Sequence, residues 1–450
     1  MFSGKIPRRR FIKGAAASLP GMLAGLASLD AQEGGKQRIK VAVVMTVFFY
    51  RSHAHVILEN FLQPYLFNGK VVDPRKEFEI AGFYVDQFPE GAAESGDMAR
   101  AVAKEFGIPI FDTVGGALCL GGKELAVDAV LMIGEHGKYP FNDKGQELYP
   151  KKRFFDQIVA VYQRSGRVVP LYCDKHLSHD WGEAKEMYDI SRSMGFGLMA
   201  GSSVPLAERR PAMEVPGAAK IVEAVSIHGG PVERYDFHGF EVLQSLVEGR
   251  KGNESGVAEV EFLESGALWS AAEEGLWSVE LAEAAMRAEF PDDKRTLKQM
   301  CATRFADADF YGILVRYQDG TRGTVLKVGN DGIRWNFACK VEGESKPLAT
   351  RFHVGPWNNR NLFRALAHSI QAHFRQGWSP YPVERTLMTT GLLDAAMESR
   401  EQGGVALPTP QLRFAYRARD YAQMREMGAT WQIITEDTPQ PKGIEAVVGK

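Results

Sequence analysis

Two side chains stand where chemistry would be done. Lys175 follows the run VVPLYCD, whose apolar character predicts a buried strand, so its ammonium belongs at the carboxyl end of that strand. Open α/β sheets bind ligands at that edge, where a fixed positive charge can orient a hydroxyl, stabilise an alkoxide or hydrogen-bond a ribose. His238, in RYDFHGFE, carries an imidazole that changes protonation near neutral pH, as a general acid or base must. Such a group can take the proton of a hydroxyl while hydride leaves its carbon. It can equally take a proton from a carbon beside a carbonyl, which begins an isomerisation or an elimination.

Ligand chemistry is concentrated in a second set. His53 and His55 follow the first predicted strand, Glu135 and His136 sit in GEHG, Asp174 and His176 in DKH, and His179 stands beside Asp180. If adjacent strand ends bring Glu135, His136 and His176 together, their imidazole and carboxylate groups suit zinc, manganese or another divalent ion. No HExxH pair or close ligand triad reinforces that reading. Tyr139, Trp357, Phe363 and Trp378 are candidate apolar walls for a sugar ring, although core packing accounts for each equally well. The four cysteines, Cys119, Cys173, Cys301 and Cys339, are too widely spaced for a disulfide framework or a metal knuckle.

The elements that must position these groups alternate through the first half. IKVAVVM (residues 39–45) reads as a buried parallel strand, 52–63 as a helix stopped by Pro64, and EIAGFYV (79–85) as a strand ending at Asp86. A helix over 98–106, strands over 126–134 and 167–172, and helices over 152–165 and 181–194 continue the alternation. Right-handed βαβ units and a Rossmann-like doubly wound parallel sheet follow, over 38–215. Beyond Pro216, EVEFLESGALW, FYGILVRYQDG, TRGTVLKV and IRWNFACKV read as half-buried strands, with helices over 278–290, 361–374 and 386–400. The second half, 216–450, is therefore expected to be an α+β domain with an open, largely antiparallel sheet for substrate or dimer contacts.

A dinucleotide site normally has a glycine-rich turn after its first strand, because the pyrophosphate must approach backbone N–H groups. Here the turn is TVFFYRSHA, with no GxGxxG. Thr46, Arg51 and Ser52 are the residues that would meet a phosphate, although two phenylalanines and a tyrosine crowd the approach. Asp86 is placed to accept hydrogen bonds from an adenosine ribose.

The chain resembles the glucose-fructose oxidoreductase, inositol dehydrogenase and MocA-like family. The likeness runs through FEIAGFYVDQ, DMARAVAKEFGIPIFD, AVDAVLMIGEHG and DKHLSHDWGEAKEMYDISRSMGFGLMAGSS, and returns in HSIQAHFRQGWSPYPVERTLMTTGLLDAAMES. Asp174, Lys175 and His176 stand where the family has Glu-Lys-Pro. Gly229, Gly230 and His238 match a later motif, in which Arg234 replaces one acid and Glu241 another. The resemblance implies catalytic roles for Lys175, His238, Arg234 and Glu241. It also implies NAD or NADP held by Thr46, Arg51, Ser52, Asp86, Glu135 and Lys175, a sugar or polyol substrate, and a segment 381–400 that packs back on the first domain. Arg234 in place of an acid points to an anionic substrate or an oxyanion. Two other functions stay open: a non-redox carbohydrate lyase, hydrolase or isomerase, metal-assisted or not, and a noncatalytic sugar-binding or assembly protein.

The first 31 residues hold five basic side chains against the single acid Asp30, with Arg8, Arg9 and Arg10 ahead of a weakly apolar run of small residues. That pattern predicts a twin-arginine signal, read by the translocation machinery and cleaved near Ala31, with 32–37 as linker and an extracytoplasmic, soluble product. An uncleaved signal would leave a membrane-anchored form. Without the segment the remainder is more acidic than the whole chain's net charge of −2, which argues against nucleic acid as a partner. A homo-oligomer formed through the second sheet is compatible with the pattern.

Overall fold

The computed structural model describes residues 37–91 and 96–445, so the expected export signal and residues 32–36 of the linker lie outside the described part. The first half comprises β1 (Ile39–Met45), α1 (His53–Leu62), a hairpin of β2 (Tyr65–Phe67) and β3 (Lys70–Val72), β4 (Phe78–Val85), α2 (Ala99–Phe106) and β5 (Ile110–Phe111). It continues with α3 (Val114–Cys119), β6 (Ala129–Ile133), α4 (Lys151–Ser165), β7 (Leu171–Asp174), α5 (Trp181–Met194) and β8 (Leu198–Gly201). Six of these strands form a parallel sheet in the order β5-β4-β1-β6-β7-β8. That is the doubly wound order, whose switch point lies between β1 and β6.

Burial explains the valine-rich run. Val41, Val43 and Met45 of β1 enter one core and Ala42 and Val44 the other, so these five positions are all apolar. Gly166 and Gly195, with φ of 59° and 75°, stop α4 and α5 in the left-handed conformation that glycine adopts without strain. Each stop turns the chain directly into the next strand.

The second sheet contains β9 (Glu208–Arg210), β10 (Ile221–His228), β11 (Val257–Glu264), β12 (Tyr311–Tyr317), β13 (Arg322–Lys327), β14 (Trp335–Val341), β15 (Leu348–His353) and β16 (Leu407–Pro408). Their order is β16-β11-β12-β13-β10-β14-β15-β9, antiparallel throughout except for the β10–β13 pair. One face packs on α6 (Asp236–Val247), through Phe237, Phe240 and Leu243. The other face is covered by an insertion, α7 (Ser265–Glu273), α8 (Val279–Glu289) and α9 (Leu297–Thr303), where Leu268, Leu281 and Met286 meet Val225, Leu326 and Ala338. Each of those three side chains contributes roughly 1.5–3 kcal/mol by leaving water. The face that the sequence reading offered to a partner subunit is thus packed by the chain's own helices.

Two long helices return to the first sheet. α10 (Asn359–Gln376) packs along α1, and α11 (Val383–Glu401) packs along α5, α6 and β8. α10, together with the first turn of α6, closes a space over the carboxyl ends of β1, β6 and β7. Among the described residues no helix is long and apolar enough to cross a membrane.

Candidate active site

The space at those strand ends is a cavity of about 410 Å³, lined by Arg51, Lys175 and Arg234, by His53, His136 and His238, and, among the described residues, by no carboxylate. Tyr235 and Trp335 stack at 5.1 Å to form one apolar wall. A larger cavity of about 790 Å³ lies around Lys327, whose ammonium is already bonded to the carbonyls of Asp309 and Gly329 and to Asn330. Volume alone does not locate the chemistry; convergent, partly unmatched polar groups do.

His53 opens α1, and its Nδ1 lies 2.5 Å from Oδ2 of Asp174, the last residue of β7. A carboxylate accepts, so Nδ1 carries a proton, and the neutral ring has its lone pair on Nε2. No protein group among the described residues bonds that Nε2, and the ring lines the cavity. The pair is therefore an oriented proton acceptor.

His238 has the opposite tautomer. Its Nδ1 is 2.6 Å from the Ser202 hydroxyl, which already accepts the Val204 N–H. Among the described residues the hydroxyl has no other acceptor for its own proton, so it donates to Nδ1, which leaves Nε2–H as a donor. Burial, then the charge of Lys175, hold this imidazole well below its ordinary range, so it is neutral near pH 7. It is a hydrogen-bond donor, rather than the base that its residue type suggested.

Lys175 reaches Oε2 of Glu135 at 3.0 Å, while buried Lys151 holds Oε1 at 2.6 Å. Burial alone would raise the Glu135 carboxyl, but the two ammonium groups override it and keep it well below the usual carboxylate range. Lys175 moves the other way: burial opposes its charge, and Glu135 and Asp174 more than restore it. Two ammoniums, Lys151 and Lys175, thus stand with two carboxylates, Glu135 and Asp174, beside the cavity.

Backbone strain marks the same place. Arg51, His136 and Lys175 have φ of 64°, 67° and 59°, the left-handed region that residues with a Cβ avoid at a cost of about 1–3 kcal/mol each. All three line the cavity. A fold that holds three such residues at one spot is aiming their side chains.

The residues expected to hold a metal are not brought together for it. Both oxygens of Glu135 belong to lysines, His176 Nδ1 lies 3.3 Å from Lys151 Nζ, and His136 turns into the cavity instead. Among the described residues no group of three His, Cys, Asp or Glu side chains is placed to hold an ion. Like-charged neighbours and burial, rather than missing residue types, defeat the expected Glu135, His136 and His176 site.

The residues expected to hold a dinucleotide are also engaged within the chain. Thr46 donates to the Glu135 carbonyl at 2.5 Å, and its N–H bonds the Ile133 carbonyl, which stitches the β1 and β6 ends together at the switch point. The Ser52 hydroxyl accepts the Phe49 and His55 N–H groups and so caps its own helix. Asp86 accepts from Tyr84 at 2.7 Å, from Tyr139 at 2.8 Å and from Arg153 at 2.8 Å on both oxygens. Phe48 is fully buried against Phe83 where a glycine turn would admit a pyrophosphate. Phe49, His53 and His136 then fill the crevice edge to face, at ring separations of 5.4 and 5.0 Å. These residues do not form the usual cradle for a nicotinamide dinucleotide, and no step below passes through one.

Of the other residues implicated by sequence, Arg234 lines the cavity, ion-paired with Glu147. Glu241 does not. It is buried under α11, accepting from Thr386 at 3.1 Å, from Thr389 at 2.7 Å and from the Ser202 N–H, and so positions the loop that holds His238. Sequence reasoning grouped His53 with the other unusual residues but gave it no role. Its partner lies 121 residues away, and only the adjacency of the α1 start to the β7 end joins them.

No family model matches the sequence, and no curated protein matches it. A solved structure shares the fold. A structure of GenD2 from gentamicin A biosynthesis, in complex with NAD, has a TM-score of 0.51 at 13% identity, covering 83% of this chain and 97% of that one. A probable dehydrogenase from Thermotoga maritima has a TM-score of 0.48 at 12% identity, over 83% of this chain and 100% of that one. A myo-inositol dehydrogenase from Corynebacterium glutamicum has 0.48 at 13%, over 83% and 99%.

Proposed function

We propose that the chain is an enzyme that moves a proton on a sugar or polyol derivative without net redox, as an isomerase or a lyase does. The carrying observation is the Asp174–His53 pair, which presents a basic Nε2 to a cavity holding Lys175 and a neutral, donating His238. His53 takes a proton from the carbon beside a substrate carbonyl. The charge that develops on the carbonyl oxygen is stabilised by Lys175 and by a hydrogen bond from His238 Nε2–H, and the proton taken by His53 is returned to the departing oxygen in an elimination or to the neighbouring carbon in an isomerisation. The stacked Tyr235–Trp335 wall suits the apolar face of a sugar ring, and the volume suits a monosaccharide.

A second reading is a nicotinamide-linked oxidoreductase, favoured by the fold shared with a protein solved in complex with NAD. The two separate in one experiment. Purified protein is denatured to release any bound nicotinamide, and the native protein is titrated with NAD and NADH. The first reading expects neither release nor binding, together with conversion of keto-sugars at constant nicotinamide absorbance; stoichiometric nicotinamide in the released fraction establishes the second. For residues 1–31 we infer twin-arginine export, which fractionation and the mass of the mature protein test: a full-length cytoplasmic product refutes it.

A further inference from the structure

We propose that the substrate of this cavity carries an acid group, carboxylate or phosphate, and that Arg51 is the residue that receives it. The inference rests on the reading of the cavity as a substrate site and names the substrate's chemical class.

The cavity wall contains cations whose charge is answered and one whose charge is not. Lys175 has Glu135 and Arg234 has Glu147. Arg51 is bound through Nε to the Asn359 side-chain oxygen at 3.1 Å and through Nη2 to the Trp357 carbonyl at 3.0 Å, both neutral acceptors. No carboxylate lies within ion-pair distance of it among the described residues. A guanidinium so placed lacks only an anion, and it presents that anion with a planar, donor-rich edge.

The placement is built rather than incidental. The Arg51 N–H donates to His55 Nδ1 at 2.8 Å, and its carbonyl accepts the Asn359 side-chain N–H at 3.0 Å. These bonds, with the two on its side chain, hold the residue at a φ of 64°. A solvated surface arginine needs no such clamp. His136 Nε2, beside this cavity, is also buried with no hydrogen-bond partner among the described residues.

The test is a binding measurement that needs no turnover, so it fails or succeeds apart from the proton-transfer reading. The His53→Asn protein is titrated calorimetrically with gluconate, glucose 6-phosphate and glucose. At least one acid is expected to bind roughly 10- to 100-fold more tightly than glucose, the range of a charged hydrogen bond. Gluconate and glucose 6-phosphate decide between carboxylate and phosphate. Adding Arg51→Gly removes the guanidinium while keeping a residue at ease with positive φ, and is expected to abolish the preference. Arg51→Gln serves as the second variant and must give the same loss, while Arg51→Lys, which keeps the charge, must retain part of the preference. Equal binding of glucose and both acids, no binding by any of the three, or an acid preference that survives Arg51→Gly overturns the proposal.

Discussion

Replacing Asp174 by Asn changes one atom, and its effect can be worked from the bonds around it. Asp174 Oδ2 accepts from His53 at 2.5 Å, and Oδ1 accepts from the Tyr172 hydroxyl at 3.3 Å. In Asp174→Asn the tyrosine still needs an acceptor, so the amide oxygen takes the Oδ1 place and the amide NH₂ faces His53. The ring must then accept at Nδ1 and carry its proton on Nε2, the wrong tautomer for a base. Turnover should fall by about 10²–10⁴-fold, the usual contribution of a positioned base. Stability should change far less. A charge-assisted bond becomes a neutral one at a cost of about 1 kcal/mol, or roughly 1 °C in melting temperature for a unit of this size. The assay pairs product formation, followed by mass or NMR, with a melting curve. A variant that melts like the wild type and turns over at the wild-type rate refutes the assignment of His53 as base.

Other consequences follow from the same geometry. Burial, then the charge of Glu135, pushes the Glu233 carboxyl up to about 7, so its contribution to stability is present below the unfolded value near 4.5 and lost as pH rises through 7. Glu233→Gln should therefore stabilise by roughly 3 kcal/mol at pH 8 and by nothing at pH 4, read from melting at both. His55 runs oppositely: burial and Arg360 lower it to about 3, so stability is complete above 6.5 and falls as pH drops toward 3. His55→Asn, which keeps an acceptor for the Arg51 N–H, should flatten that acid limb, worth roughly 5 kcal/mol at its end. Phe48→Ala should cost about 3–5 kcal/mol by opening a core cavity, measured in denaturant, since Phe48 is core rather than ligand surface. Ser202→Ala should lower turnover roughly tenfold with little change in KM, because it frees the His238 tautomer; an unchanged rate removes that role.

The sheet was legible because burial on both faces leaves one solution. IKVAVVM appears as β1 with its expected bounds, and the helix expected over 181–194 is α5. The strand expected from EVEFLESGALW is cut at Glu264, where SGALWSAAE turns into α7 because Leu268 and Trp269 pack on the sheet's second face. A 3.6-residue period over so few turns is hard to tell from alternation. Lys175 and His238 were found because one follows a strand and the other fits a motif. The Asp174–His53 pair, the saturation of Asp86 and the role of Glu241 depend on long-range partners that no local pattern encodes. Lys151 was hidden most completely, as a helix residue among lysines that becomes buried only when α4 lies over Glu135.

The central claim is that His53 removes a carbon-bound proton. The most direct measurement is solvent isotope incorporation into a panel of keto-sugars and sugar acids incubated in heavy water with wild-type protein and with His53→Asn. Deuterium should enter one carbon of a panel member at constant nicotinamide absorbance, and His53→Asn should stop it. Turnover that leaves the carbon-bound hydrogens unexchanged while nicotinamide absorbance rises, or exchange that persists in His53→Asn, would contradict it.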